Sequence, residues 1–589
     1  MYLHYTGGFY LDWQAWQWYN LPMHIDRVPN RGSRPTILVR ESYRDGAKVR
    51  KRTLANLTHL PPQHVEILER SLKGEQLVPA GEAFQIERSL PHGHVKAILG
   101  TMRHIGMAGL LASRPCRERD LVMAMIAERL IHGASKLAST RLWHSTTLAS
   151  QLGVEDAGAE DLYRAMDWLL ERQERIEEKL AGRHLQEGAQ VLYDVTSSYY
   201  EGHTCPLAQF GHDRDGNGSR PIIVYGVLAD GQGRPVAVQV YEGNTGDPAT
   251  VPDQVARLTG RFGLERVVLV GDRGMLTQTQ IKALQEYPQL GWISALRSGS
   301  IRKLVKGGAI QTSLFDQQNL AEIHSGEFPG ERLIACFNPF LAEERQRKRE
   351  ELLQATEKEL ARVQRAVARR TRTRLGADEI GLRVGKVVSK YKVAKHFELT
   401  IRDGLLEWKR REAAIEQEKL LDGIYVIRTS EPEERLSAED AVRSYKSLGR
   451  VENAFRCMKG IDIRVRPIHH RLEPRVRAHV LLCMLAYYVE WHMREALAPL
   501  LYEDEDLAEH QASRDPVARA EAPANVRRKR ATGRTEDGHV AHSFKTLLAE
   551  LATLCHNHCR VGDAQSGPTF DMETQPNALQ AKALSLLQV

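Results

Sequence analysis

Gln190-Val191-Leu192-Tyr193-Asp194-Val195-Thr196-Ser197-Ser198-Tyr199 opens the part of the chain that decides its architecture. Two more strand-like runs follow, over 221–229 and 234–241, joined by Asp230-Gly231, a dipeptide that favours a hairpin turn. Helix and strand patterns then alternate: a helix over 251–261, a strand over 266–270, a helix over 278–286 and a strand over 292–296. Three strands in succession followed by this alternation predict an α/β chain with a mixed sheet flanked by helices on both faces.

Upstream of the sheet, residues 92–187 carry helical periodicity, including 119–132 and 159–180, and read as a helical DNA-binding domain, with a helical packing domain that holds no ligand as the alternative. Ser135, Lys136, Ser139, Thr140 and Arg141 put hydroxyls and cations near helix ends, where DNA backbones are commonly held. Residues 23–91 form a β-hairpin region, in which Ile37 to Tyr43 alternates, Asp45-Gly46 turns, and Lys48-Val49-Arg50-Lys51-Arg52 returns. That basic return strand suits phosphate contact or simply a solvated face. Residues 1–22 crowd Tyr2, Tyr5, Phe9, Tyr10, Trp13, Trp16, Trp18 and Tyr19 into a chain that is only 6% aromatic. They read either as a leader ahead of a native start at Met23 or as an aromatic arm.

Downstream, residues 299–422 interrupt the alternation as an insertion subdomain. Within it, 341–374 is a long charged helix whose Leu353, Leu360 and Val367 recur every seven residues, the mark of a helical hairpin or short coiled coil. Strand-like text returns at 422–428, so the sheet domain comprises 188–298 and 423–495. Residues 496–589 read as a linker and C-terminal helical segment, with a polar stretch over 502–538 and a last helix over 543–558.

At 589 residues the chain is too long for one core, and roughly two to four domains are expected. Its 82 basic and 75 acidic residues leave a net charge of +7, which permits a nucleic-acid partner without demanding one. Seven cysteines without paired spacing point away from a secreted disulfide framework and toward the cytoplasm. The apolar stretch at 480–489 is too short to span a bilayer, so no membrane partner is expected.

Chemistry concentrates at three acids. Asp194 lies in the first strand, Asp272 ends Val267-Val268-Leu269-Val270-Gly271, and Glu452 sits on a helix between Tyr445 and Lys459. At about 100° per residue, Tyr445, Glu452 and Lys459 drift by only roughly 20° per interval and share a face, with Arg456 between the acid and the lysine. Such a face also suits an exposed, ion-paired helix. Three carboxylates gathered from separate elements can clamp two hard divalent ions about 3.5–4 Å apart, the arrangement of phosphodiester chemistry. Arg464, Arg466, His469, His470 and Arg471 add a cationic stretch suited to backbone contact. Cys555, His556, His558 and Cys559 lack the paired spacing of zinc modules and read as a helix end. Gly211-His212-Asp213-Arg214-Asp215-Gly216 is wrongly spaced for a calcium hand and reads as a loop near the site.

From about residue 35 to 495, these motifs resemble the cut-and-paste insertion-sequence transposases with an RNase H-like DDE core. More narrowly they resemble the insertion-sequence family four superfamily, whose third-acid signature is Tyr-x2-Arg-x3-Glu-x6-Lys. The resemblance implies Asp194, Asp272 and Glu452 as catalytic, metal-binding acids for two magnesium ions, with manganese as a substitute. It also implies Tyr445 and Lys459 as phosphate holders. The signature's arginine falls on Leu448 here, and Arg456 is the candidate replacement. Arg273, Arg464 and Arg466 complete the candidate DNA contacts. The insertion of such enzymes is mostly β-structure and can stack on a flipped base, for which Trp408 is the candidate with Trp292 behind it; a core role is the alternative for either tryptophan. The expected partners are double-stranded DNA, as terminal inverted repeats and as target, and a second copy of the chain in a synaptic homodimer. Two other readings stay open: an RNase H-like nuclease that never joins, and a catalytically silent sequence-specific DNA-binding protein.

Overall fold

Strand-forming runs rich in Val, Ile and Leu build an eight-stranded mixed sheet in the computed structural model, which describes residues 3–5, 23–78, 83–216, 218–316, 318–519, 521–562 and 567–589. Its strands are β1 (Gln190–Tyr199), β2 (Ile222–Asp230), β3 (Pro235–Tyr241), β4 (Val267–Gly271), β5 (Leu290–Ala295), β6 (Leu320–Ile323), β7 (Arg332–Phe337) and β8 (Ile424–Thr429). In space they run β6-β7-β8-β5-β4-β1-β2-β3. The hairpin partners β2 and β3 are antiparallel to their neighbours, whereas β4 and β5 run parallel to β1. Every residue of β2, β4 and β5 is buried, as continuous apolar strands in the middle of a covered sheet should be. The turn after β2 is held by Asp230, whose Oδ1 accepts from the backbone N–H groups of Gln232 and Arg234, both at 2.9 Å.

The chain divides into two compact units, one of residues 92–553 with 576–589 and one of residues 1–91 with 554–575. The larger unit holds both the sheet and the helices of 92–187, so the helical region is part of the sheet's own core rather than a separate body. A buried helix ties the two layers together: Glu473–Leu497 packs on β3 and on the helices Arg117–Ile131 and Ala159–Leu170. Its Leu481, Leu482, Met484 and Leu485 are fully buried, each worth about 1.5–3 kcal/mol of apolar transfer. The helix expected over 159–180 is two, Ala159–Leu170 and Gln173–His184. Lys136 and Ser139, expected at a DNA-facing helix end, are buried in this layer.

Four expectations about the second half change. Residues 320–337 supply β6 and β7 to the central sheet, so the excursion is shorter than 299–422 and runs between Asn338 and Gly423. The backbone N–H of Asn338 donates to the Gly423 carbonyl at 2.9 Å, which closes the excursion at its base. Its content is mainly helical, not β: α1 (Pro339–Ala368), α2 (Ala377–Tyr391), the short helix Glu412–Lys419 and one hairpin of Phe397–Arg402 with Leu405–Arg410. The heptad residues Leu353, Leu360 and Val367 are buried there with Ile380, Val384, Phe397 and Leu406, a core of its own.

Residues 502–538 are not an unstructured linker, since Leu507–Ser513 and Ala524–Thr532 are helices. Lys529 is wholly buried and donates to the carbonyls of Ala498 and Glu503 at 2.8 and 3.2 Å, which secures the segment. The last helix of the 543–558 text stops at Ala552, and Cys555–Val561 is a strand between Phe84–Pro91 and Thr569–Glu573. The partner strand is contributed from more than 460 residues earlier, which no local pattern reveals.

The smaller unit pairs that sheet with a meander of Met23–Asn30, Ser33–Asp45 and Lys48–Asn56, capped by the helix Pro62–Leu72. The backbone of Leu3–Tyr5 pairs with Gln76–Val78. The aromatic residues from Phe9 to Tyr19 and Tyr2 lie outside the described residues.

Candidate active site

Parallel pairing does the first step of assembly. Gly271 of β4 stands opposite Tyr193 of β1, so the next residue on each chain segment comes at the same level: Asp272 just past the end of β4, and Asp194 within β1, where it pairs with Val227 of β2. The third acid arrives on α4 (Leu448–Lys459), which packs against β1. Val451, Ala454, Phe455 and Met458 form the buried stripe of α4, and Phe455 meets Tyr225 of β2 edge-on at 5.9 Å. This seating turns Glu452 and Arg456 to the exposed side. Leu448, where the signature has arginine, is itself a buried core residue, so an arginine there would lose its hydration.

Tyr445 is not on the same helix as Glu452. It lies on α3 (Ala438–Lys446), and the two helices are divided at Ser447, whose N–H is shared between the carbonyls of Arg443 and Ser444 at 3.0 and 3.1 Å. Tyr445 nevertheless reaches the site, donating its phenol hydrogen to Asp272 Oδ1 at 3.1 Å. Asp272 Oδ2 accepts from the backbone N–H of Gly274 at 3.3 Å, which fixes the carboxylate from both ends. Asp194 Oδ1 accepts from the N–H of Val195 at 2.8 Å.

Burial pushes the Asp194 carboxyl up to about 7, and the charges of Asp272 and Glu452 push the same way; the Val195 N–H and the Arg214 guanidinium oppose them. A buried carboxylate facing two more carboxylates, with one guanidinium charge opposing them, is part of a donor set that a divalent cation satisfies, and all the donors are hard carboxylate oxygens. Among the described residues, the one group of three His, Cys, Asp or Glu side chains with ligand atoms all within 4.8 Å of one another is Cys457, Asp462 and Glu490, which includes none of these acids. Arg494 already fills that group, donating to Glu490 Oε1 at 2.6 Å and Asp462 Oδ2 at 3.3 Å and also bonding Glu503. It is an ion-paired anchor that ties the Glu473–Leu497 helix, which we label α5, to the segment after α4 at Asp462 and to the segment after α5 at Glu503.

The expected DNA contacts scatter more widely. Lys459 is mostly buried and pairs with Asp215 at 2.9 Å, and Arg466 joins the same carboxylate at 2.6 Å. Arg456, Arg464 and Arg273 are exposed, Arg464 donating to the His132 carbonyl at 3.5 Å. Trp408 lies in the excursion's hairpin, part-buried against its core with Phe397 edge-on at 6.1 Å. Trp292 is buried in β5, with Arg428 stacked 5.3 Å above it. Sequence reasoning did not single out Arg214, whose charge reaches Asp194, or Asp215, which holds Lys459; the Asp- and Gly-rich text at 211–216 was their only signal.

Comparison with known proteins gives the class. Residues 190–489, just over half the chain, match the family described as "Transposase DDE domain", and the chain belongs to this family of DNA-cleaving, strand-transferring enzymes. Residues 25–80 match the "IS1634 family transposase, N-terminal domain", which places it among the insertion-sequence transposases. A comparison with curated protein sequences gives no match. Among solved structures, one match is a piggyBac transposase synaptic complex with hairpin DNA, at 11% identity and a TM-score of 0.31, covering 76% of this chain and 85% of that one. Among the described residues, no helix is long and apolar enough to cross a membrane.

Proposed function

We propose that Asp194, Asp272 and Glu452 are the metal-binding acids of this transposase and that they hold two magnesium ions. The level register of β1 and β4, with α4 seated on β1, is the observation that carries this reading. When bound, the ions supply an activated water or 3′-hydroxyl and stabilisation of the leaving oxygen. Asp194 sheds its proton as the site loads, Tyr445 keeps Asp272 from rotating, and Gly274 restrains its other oxygen. Lys459, Arg466 and Arg456 take the phosphates of the strand beside Glu452, with Arg273 and Arg464 as outlying contacts. The spatial order β3-β2-β1-β4-β5, antiparallel on one side of β1 and parallel on the other, supports an RNase H-like core.

The reaction is cut-and-paste movement of the element to which the chain belongs. One strand at each terminal inverted repeat is hydrolysed and the freed 3′-hydroxyl is joined to target DNA, with two copies of the chain holding two ends. Asp272→Ala is expected to abolish cleavage of end DNA while sparing its binding, read by gel shift and cleavage mapping on the same duplex. Normal cleavage by that variant would remove the metal assignment, and cleavage without joining of pre-cut ends would leave only a nuclease.

A further inference from the structure

The 211–216 loop is anchored at both of its central residues. The backbone N–H of Arg214 donates to Ser197 Oγ at 3.2 Å, three residues beyond Asp194 on β1, and its guanidinium bonds Asp247. The backbone N–H of Asp215 donates to Asp213 Oδ1 at 2.8 Å, a tight local turn. This delivers the Asp215 carboxylate, only 2% exposed, between two cations contributed from α4 and from the segment after it. Oδ1 alone accepts from both, Lys459 Nζ at 2.9 Å and Arg466 Nη1 at 2.6 Å, while Oδ2 is buried without a hydrogen-bond partner among the described residues. Two cations on one carboxylate leave an excess positive charge, and Arg466 keeps 32% of its side chain exposed.

We propose that Asp215 is a positioning residue of the DNA clamp: it holds Lys459 and Arg466 side by side so that one phosphate of the bound strand meets both. The inference rests on the active-site reading above. A free lysine arm must surrender its rotamer freedom when it meets a phosphate, and an arm already held beside an arginine has done so in advance. The loop that carries Asp215 is tied to β1 near Asp194, so the clamp is registered to the reacting acids through the Arg214–Ser197 hydrogen bond. A buried ion pair kept only for stability would have the same contacts, and the two roles separate in their DNA behaviour.

The test uses the full-length protein, a duplex carrying the element's end, and magnesium. In Asp215→Asn the two cations are freed but no longer aligned. DNA binding is expected to hold or tighten with a steeper salt dependence, by about one unit of log–log slope per freed cation. Cleavage at saturating DNA is expected to fall on the order of tenfold to a hundredfold. Adding Asp215→Asn to Lys459→Met is expected to slow cleavage no further than Lys459→Met alone. If Asp215→Asn does not fold, Asp215→Glu keeps the charge on a longer arm, and the expectation is slower cleavage with an unchanged salt slope. Parallel losses of melting temperature, binding and cleavage, additive with Lys459→Met, would make Asp215 merely structural, and faster cleavage would make it a latch; either overturns the proposal. Wild-type protein that binds end DNA but never cuts it would defeat the active-site reading, and this one with it.

Discussion

Among the described residues, the phenol of Tyr445 is the one neutral side chain that hydrogen-bonds an acid of the site from another element, at 3.1 Å from Asp272. A hydrogen bond to a charged acceptor contributes about 1.5–3 kcal/mol. Tyr445→Phe is therefore expected to slow single-turnover cleavage by about tenfold to a hundredfold while binding of end DNA is retained. Glu490 gives a different handle, because burial pushes its carboxyl up to about 7 against the pull of Arg494. Between about pH 4.5 and 7 the folded chain keeps a proton there that the unfolded chain has released, so this group's contribution to stability declines as pH rises through that window. Asp194 works in the same direction. Melting curves of Glu490→Gln against the parent are expected to show a flatter decline across the window, the difference amounting to at most about 3 kcal/mol.

At the level of elements, the sheet was legible because its strands are apolar runs with turn residues between them, and β1, β4 and the Asp230 turn lie where their patterns put them. The shared face of Tyr445, Glu452 and Lys459 reads as one helix in the sequence, and the structure divides it in two at Ser447. A single interrupting residue with helical dihedrals leaves the apolar periodicity intact on either side, so spacing alone does not register it. The strand Cys555–Val561 was illegible for another reason: its character depends on Phe84–Pro91, a partner that sequence proximity does not supply. The excursion's core was readable from its heptad, and Leu360 at its centre is fully exposed to no solvent. Leu360→Ala is expected to cost about 2–5 kcal/mol of the excursion's stability, seen as a lowered melting temperature or earlier hydrogen exchange in α1 and α2.

For the molecule as a whole, the chain reaches its smaller unit twice, first with residues 1–91 and again with 554–575. The acids, by contrast, all belong to the larger unit, which is why their motifs read in one sweep from 194 to 452 while the boundaries of the smaller unit did not. A truncation after Thr553 removes the strands Cys555–Val561 and Thr569–Glu573 and also the helix Ala578–Leu586 of the larger unit. It is expected to leave Phe84–Pro91 as a bare edge, with lost amide-exchange protection over 84–91 and a greater tendency to aggregate.

The 2.9 Å bond between Asn338 and Gly423 has a consequence for how such chains diversify. Because the excursion departs and returns at neighbouring strands, its length and content are free to change without moving either strand. The base acts as a grafting point: a different lobe with closely spaced ends could be exchanged there while Asp194, Asp272 and Glu452 keep their mutual placement.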